Sequence, residues 1–275
     1  MFVRTLDDVI AAGRLKELQG GDTRSARYLT AADGMGFSFH VNRCRAAPAH
    51  RLWYKHHWEA NYIISGKVKV TDLTSGESWL VEAGELYQVG PNDRHHFEVL
   101  EDDRHVSVFC PALHGDETHD ADGAYSASGP VPETERRMFV KRVGEMRANG
   151  EEMVVANGGA RTVRVLTAAD GMGFSFSDVR FSAGAVVDLW YKHHWEANYI
   201  LSGTGRVENL GTGEAWPLES GSLYNVGPKD RHRVTAETDL HLVSVFCPPL
   251  RGDEQHDADG ALAPCGPVPP GPPGY

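Results

Sequence analysis

The chain has 275 residues, a formal net charge of −11 and a pI near 5.7. That length suits one or two domains, and an acidic balance with no cluster of Lys or Arg argues against a nucleic-acid surface and for a small polar ligand. The four cysteines, Cys44, Cys110, Cys247 and Cys265, form no CxxC pair and read as reduced thiols.

Residues 1–8 carry no apolar run of the signal-peptide kind, and no later segment approaches membrane-spanning length, so a cytoplasmic protein with no membrane partner is expected. Apolar residues then recur at helical spacing from Leu6 to Leu18, which predicts a short helix. After it the pattern changes to short alternating runs broken by Gly, Asp, Asn and Pro, over 59–70, 77–81, 86–89 and 105–109. Many short strands close together predict an all-β barrel or sandwich. The turn-rich stretch 126–135 has no apolar periodicity and places a domain boundary near Arg136. A second helix is expected from Val143 to Met153, followed by another set of strands. The segment 264–275 is so rich in Pro and Gly that it is expected to be disordered.

The second half repeats the first 137 positions later. The run Trp53–Tyr62 recurs letter for letter as Trp190–Tyr199, and Gly34–Phe39 recurs as Gly171–Phe176. Tyr87/Tyr224, His95/His232 and Glu117/Glu254 keep the same separation. Two tandem domains follow, over 1–136 and 137–263, each with its own site. Glu59 is followed after six residues by Gly66, and Gly84 eleven positions later by His95, spacings that resemble the two cupin motifs and recur at Glu196/Gly203 and Gly221/His232. Two cupin barrels of jelly-roll type are therefore expected, with residues of distant strands meeting at the mouth of each.

Strand alternation puts His57, Glu59 and Asn61 on one face, and His194, Glu196 and Asn198 on the equivalent one. A solvent-facing strand would explain one such run. Its exact recurrence beside Trp53, Trp58 and Tyr62, rings that are costly to leave in water, favours a concave functional face. On their own, His95 reads as a surface histidine and Tyr87 as a core aromatic. With Glu59 they supply carboxylate, phenol and imidazole, a donor set suited to iron(II) or zinc, and Glu196, Tyr224 and His232 supply it again.

The segments Gly34–His40, Trp53–Ala60, Leu86–Tyr87, Asp93–His95 and Gly115–Tyr125, in that order, resemble the ectoine synthase family, and the likeness runs through both repeats. The resemblance implies single-domain cupins, usually dimeric, that close N-γ-acetyl-2,4-diaminobutyrate into a cyclic amidine with loss of water, using an iron-type metal. This chain then looks like two such units fused, either a monomer whose domains stand in for the dimer or a homodimer. Carried over residue by residue, the resemblance makes Glu59, Tyr87, His95, Glu196, Tyr224 and His232 metal ligands. It lines the pocket with Tyr54, His57, Arg27, Phe109, Glu117 and His119, and with Tyr191, His194, Arg164, Phe246, Glu254 and His256; His57 or Tyr54, and likewise His194 or Tyr191, is the candidate catalytic proton shuttle, neutral imidazole being the better base near pH 7.

The chain departs from the family pattern at Thr23/Ala160, where a tryptophan is usual, at Asn42/Val179 for threonine, at Ser107/Ser244 for cysteine, and at Asn61/Asn198 for an aliphatic residue. Asn42, Asn61, Ser107, Asn198 and Ser244 are therefore expected to touch substrate and shift its identity, since a lost ring and a gained amide change both size and polarity. The expected function is a metal-dependent cyclodehydratase acting on a small amino-acid-derived amide. An iron-dependent oxygenase or isomerase, and a non-catalytic binding protein, stay open as alternatives. His40, Asn42 and His96 become Ser177, Val179 and Arg233, so the two sites need not do the same work.

Overall fold

A computed structural model describes residues 1–275, the side chain of Asn157 excepted. It divides into two compact units, Val9–Glu145 (the first barrel) and Met1–Asp8 with Met146–Tyr275 (the second barrel). Both are all-β, as the alternation implies.

In the first barrel the strands are hydrogen-bonded in the order Phe139–Arg142, Glu85–Val89, Trp58–Asp72, His95–Cys110, Ser38–Cys44, Thr23–Leu29, Leu15–Leu18. Ala47–Leu52 also pairs with His95–Cys110, and Ser78–Glu82 with Trp58–Asp72. The register slips at Ile63/Ser65 and again at Ser65/Lys67, so two long strands turn the corner of the barrel and serve both faces. The second barrel splits the same strands: Trp195–Ser202 and Leu240–Cys247 lie in a seven-stranded sheet, Gly205–Asn209 and His232–Ala236 in a four-stranded one.

The glycine of the first spaced motif has a mechanical reason. Gly66 sits at φ 88°, and a Cβ there would come within 2.3 Å of the Asp102 carbonyl oxygen; Gly203, at φ 89°, would meet Asp239 at 2.1 Å. Only glycine lets the two strands pass so closely. One turn further, the Trp58 and Trp195 rings, each 1% exposed, occupy the space that Gly90 and Gly227 leave open.

Three expectations need correction. The helices are shorter than the periodicity suggests, Leu6–Ala11 and Val143–Ala148, because Gly13 (φ 69°) and Gly150 (φ 81°) end them in the left-handed region; the rest of each segment becomes the strands Leu15–Leu18 and Met153–Val155. The 264–275 tail is ordered. The Trp195 indole donates to the Pro269 carbonyl at 3.0 Å, and the Tyr275 ring packs on Trp195 at 4.4 Å, so an extended chain without its own ladder is held by an aromatic anchor. Finally, the compact units do not end where the repeats do. Phe139–Arg142 extends the first barrel's sheet at Glu85–Val89, and Phe2–Arg4 extends the second barrel's at Leu223–Val226.

Arg137 and Met138 also belong physically to the first barrel. The Arg137 guanidinium donates to Asp93 at 2.9 Å and to Asp72 at 3.2 Å, its carbonyl accepts from Gln88 at 2.6 Å, and the Met138 amide donates to Asp93 at 3.1 Å. Cutting at residue 136 would bare the edge of Glu85–Val89 and strip the fully buried Asp93 of its cation. A fragment of residues 1–136 is therefore expected to self-associate in size-exclusion chromatography with light scattering, and a fragment of 9–145 to run as a folded monomer; equal behaviour would contradict the role given to Phe139–Arg142.

Candidate active site

Each barrel holds a pocket lined by residues of several strands. In the first, Glu59 and Asn61 point inward from Trp58–Asp72, with Asn61 opposite Tyr87 on one neighbouring strand and Ser107 on the other. In the second, Glu196 and Asn198 take the same places, with Asn198 opposite Tyr224 and Ser244. Ser107 donates to the Asn61 carbonyl oxygen and Ser244 to that of Asn198. The amide nitrogens of Asn61 and Asn198 are buried without a partner, so each asparagine turns an unused donor toward its surroundings.

Burial dominates the electrostatics. It pushes Glu59 and Glu196 up to about 7. Burial also raises the Tyr87 and Tyr224 phenols well above their usual range and lowers His95 and His232 to about 4. Both imidazoles are thus neutral near pH 7. His95 Nδ1 lies 3.3 Å from the Asp93 carbonyl and His232 Nδ1 3.2 Å from that of Asp230, which fixes the proton on Nδ1. Nε2 of each is left with its lone pair, buried and unpartnered.

Tyr54 lines the first cavity and its hydroxyl meets His119 Nε2 at 3.1 Å; Tyr191 lines the second and meets His256 Nε2 at 3.0 Å. The Ala156 amide donates to His256 Nδ1 at 3.2 Å, so the neutral imidazole carries its proton on Nε2 and donates to Tyr191. The Tyr191 hydroxyl proton is thereby free for another acceptor.

Of the residues picked from sequence, the first cavity gathers Asn42, Tyr54, Glu59, Asn61, Tyr87, Phe109 and His119, and the second Arg164, Tyr191, Glu196, Asn198, Tyr224, Ser244, Phe246 and His256. His95 and His232 stand behind the tyrosines, 6.2 Å from Tyr54 and 5.8 Å from Tyr191 between ring centres. Ser107 reaches the cavity through its bonds to Asn42 and Asn61. Arg27, His57, His194, Glu117 and Glu254 also sit outside the lining. His57 bonds Ser128 at 2.9 Å and packs edge-on to Phe109; His194 packs the same way on Phe246 with neither ring nitrogen bonded. Glu117 is tied to Arg27 at 3.0 Å, with Arg27 itself fully buried, and Glu254 is held by the Arg251 and Gly252 amides and the Cys265 thiol.

Sequence reading missed Tyr125, stacked on His119 at 4.3 Å, and the buried group Cys44, Asp103 and His105, whose ligand atoms lie within 4.8 Å of one another and could hold a metal. The signal was present in the repeat: these positions are Leu262, Phe181, Leu240 and Leu242 in the second copy.

The Ectoine synthase family model matches residues 1–129 and again 138–265. The chain belongs to the ectoine synthase family. It is 40% identical over 112 residues to the L-ectoine synthase of Shouchella clausii, covering 41% of this chain and 84% of that protein. It is 39% identical over 127 residues to that of Mycolicibacterium gilvum, covering 46% and 96%. Each such relative thus spans about one repeat. In structure, the two-barrel architecture resembles an oxalate decarboxylase of Lactobacillus farciminis, at a TM-score of 0.64 and 13% identity over 91% of this chain and 87% of that one. At that identity the likeness concerns the fold alone.

Removing the Ser107 hydroxyl would leave the buried Asn42 amide and Asn61 carbonyl without this partner, a loss of ~1–3 kcal/mol. Ser107→Ala is expected to lower the urea midpoint of the first barrel accordingly, and an unchanged midpoint would show the bond to be dispensable.

Proposed function

We propose that the chain is a metal-dependent cyclodehydratase of the ectoine synthase type, with a substrate shifted from N-γ-acetyl-2,4-diaminobutyrate to a related small amino-acid-derived amide. Family membership supports the reaction class. The observation that carries the metal is the pair of buried, unpartnered Nε2 atoms of His95 and His232, each with its proton fixed on Nδ1 by a carbonyl. A neutral imidazole aimed without a donor into a buried site is the form that ligates a cation, and the carbonyl behind it is the usual orienting partner. The Glu196 Oε2 atom is likewise buried and unbonded.

Glu59, Tyr87 and His95, and their second-barrel equivalents Glu196, Tyr224 and His232, would hold an Fe(II) or Zn(II) ion, which when bound polarises an amide carbonyl. The remaining work falls to the chain's own side chains. A pocket inside the barrel would keep a flexible substrate folded on itself and so bring amine and carbonyl together. Tyr191, receiving a hydrogen bond from His256, has its own proton to give to a leaving hydroxyl, and Tyr54 with His119 has the same geometry in the first barrel. His57 and His194 lie behind Phe109 and Phe246, which favours Tyr54 and Tyr191 as the groups that meet substrate.

The shifted substrate rests on Asn61 and Asn198. Each adds an unbonded amide donor next to the glutamate, and a ligand offering no acceptor there would leave it unsatisfied at a cost of ~1–3 kcal/mol. With N-γ-acetyl-2,4-diaminobutyrate, turnover at least tenfold below that of the Shouchella clausii enzyme is expected, abolished by chelation and restored by Fe(II) or Zn(II). Comparable turnover would refute the shift, and turnover indifferent to chelation would refute the metal. Glu59→Ala combined with Glu196→Ala should leave no cyclising activity on any substrate.

A further inference from the structure

The two barrels share a frame, but one stretch of wall differs between them. On the adjacent strands Ser38–Cys44 and His95–Cys110, the first barrel pairs Asn42 with His105 and Cys44 with Asp103. In the second, the same register places pair Val179 with Leu242 and Phe181 with Leu240. The difference reaches the neighbouring chain, where Gln19 and Thr23 become Ala156 and Ala160. Every one of these polar or thiol side chains is thus replaced by hydrocarbon in a barrel that closes with the same strand order, so packing does not demand them.

Cys44, Asp103 and His105 are buried, at 5%, 3% and 4% exposed, and the sulfur, one carboxylate oxygen and one ring nitrogen lie within 4.8 Å of one another. Asp103 accepts from His105 Nδ1, and its Oδ1 atom is buried with no donor. A buried carboxylate with an unmet oxygen is costly, and a cation is the partner that relieves it. Two further side chains hold the group from outside. The Thr23 hydroxyl lies 3.4 Å from Cys44 Sγ, and the Asn42 amide 3.0 Å from His105 Nε2. Cys44 and His105 line the first pocket beside Gln19, Thr23 and Asn42, which gives an ion its way in.

We propose that the first barrel alone carries an additional zinc site, separate from Glu59, Tyr87 and His95, whose ligands are the Cys44 thiolate, the Asp103 carboxylate and His105 Nδ1. Thiolate and carboxylate together cancel the charge of a divalent ion, which suits a site shut away from water. A sulfur donor beside nitrogen and oxygen selects Zn(II) over Mg(II) or Ca(II). Donors at about 2.0–2.3 Å from a tetrahedral zinc lie about 3.3–3.8 Å apart, so shifts on the order of 1 Å close the group on an ion. The proton balance is simple. The Cys44 proton leaves to solvent, and the His105 proton passes from Nδ1 to Nε2, where Asn42 accepts it once its amide is turned to present the carbonyl oxygen. Thr23 on the sulfur and Asn42 on the far ring nitrogen then orient the ligands, as groups behind a metal centre do. Three protein ligands leave a fourth position open for water or for a ligand in the pocket.

The test uses the full chain, stripped with EDTA, dialysed under reducing conditions and titrated with Co(II), a coloured stand-in for zinc. Only a thiolate ligand gives the sulfur-to-cobalt charge-transfer absorption in the near ultraviolet, so ions held by Glu59 or Glu196 with their tyrosine and histidine are silent. A saturable band is expected, and Zn(II) should displace it. Cys44→Ser should abolish the band, with Cys44→Ala in its place if the serine variant gives no melting transition. Asp103→Asn should weaken cobalt binding at this band at least tenfold, whereas Cys265→Ser should leave it unchanged. Absence of the band from the unmodified chain at saturating cobalt overturns the proposal whatever the variants do, and so does a band that survives loss of the Cys44 sulfur, follows Cys265 or ignores Asp103→Asn. Turnover indifferent to chelation would remove the metal of the proposed reaction and leave this band in place, and a missing band would leave the cyclisation reading standing.

Discussion

A carboxylate shut away from water on a barrel strand, Glu59 in one unit and Glu196 in the other, sets the conditions for everything around it. Neither forms an ion pair among the described residues, and burial lifts both to about 7. Keeping such a group ionised in a low-dielectric interior costs several kcal/mol, so the site must take up either a proton or a cation. The buried neutral histidine and the phenol too buried to ionise unaided share that condition.

The frame that imposes this burial is common to both barrels. Gly66 and Gly203 allow the close strand passage, Trp58 and Trp195 fill the space over Gly90 and Gly227, and each tryptophan anchors an extended segment through its indole, to Pro132 and to Pro269. Since this frame is the same, differences between the cavities come from side chains on equal backbones.

That is also why the fold was legible in the sequence and the site only partly so. Alternation and the Glu59/Gly66 spacing led directly to strands and barrel, because they report backbone constraints that no neighbour can override. The helices were overextended because Gly13 and Gly150 stop them where the apolar period continues into strands. The tail forms no ladder, as its composition implies, and meets the second barrel where Trp195 donates to the Pro269 carbonyl. Glu59 and Asn61 line one cavity face as alternation implies, whereas His57 turns toward Ser128, because it precedes the strand that starts at Trp58 and escapes its alternation. Asp103 and His105 were invisible as single residues on an apolar strand and became visible only when set against Leu240 and Leu242.

The second barrel therefore acts as an internal control on the first. It reaches the same strand order through Ser175–Phe181 and Leu240–Cys247 with Val179, Phe181, Leu240 and Leu242 in the wall, so the fold does not need Asn42, Cys44, Asp103 or His105. A buried polar chain with one oxygen left unbonded is costlier than the packed hydrocarbon that replaces it, by ~1–3 kcal/mol for the unmet group alone. The same logic runs in reverse for Arg164, since Arg27 shows that the position can be neutralised by a glutamate at 3.0 Å. Where one barrel demonstrates that an unpaired buried group is structurally unnecessary, the packing of the strands does not account for its presence in the other.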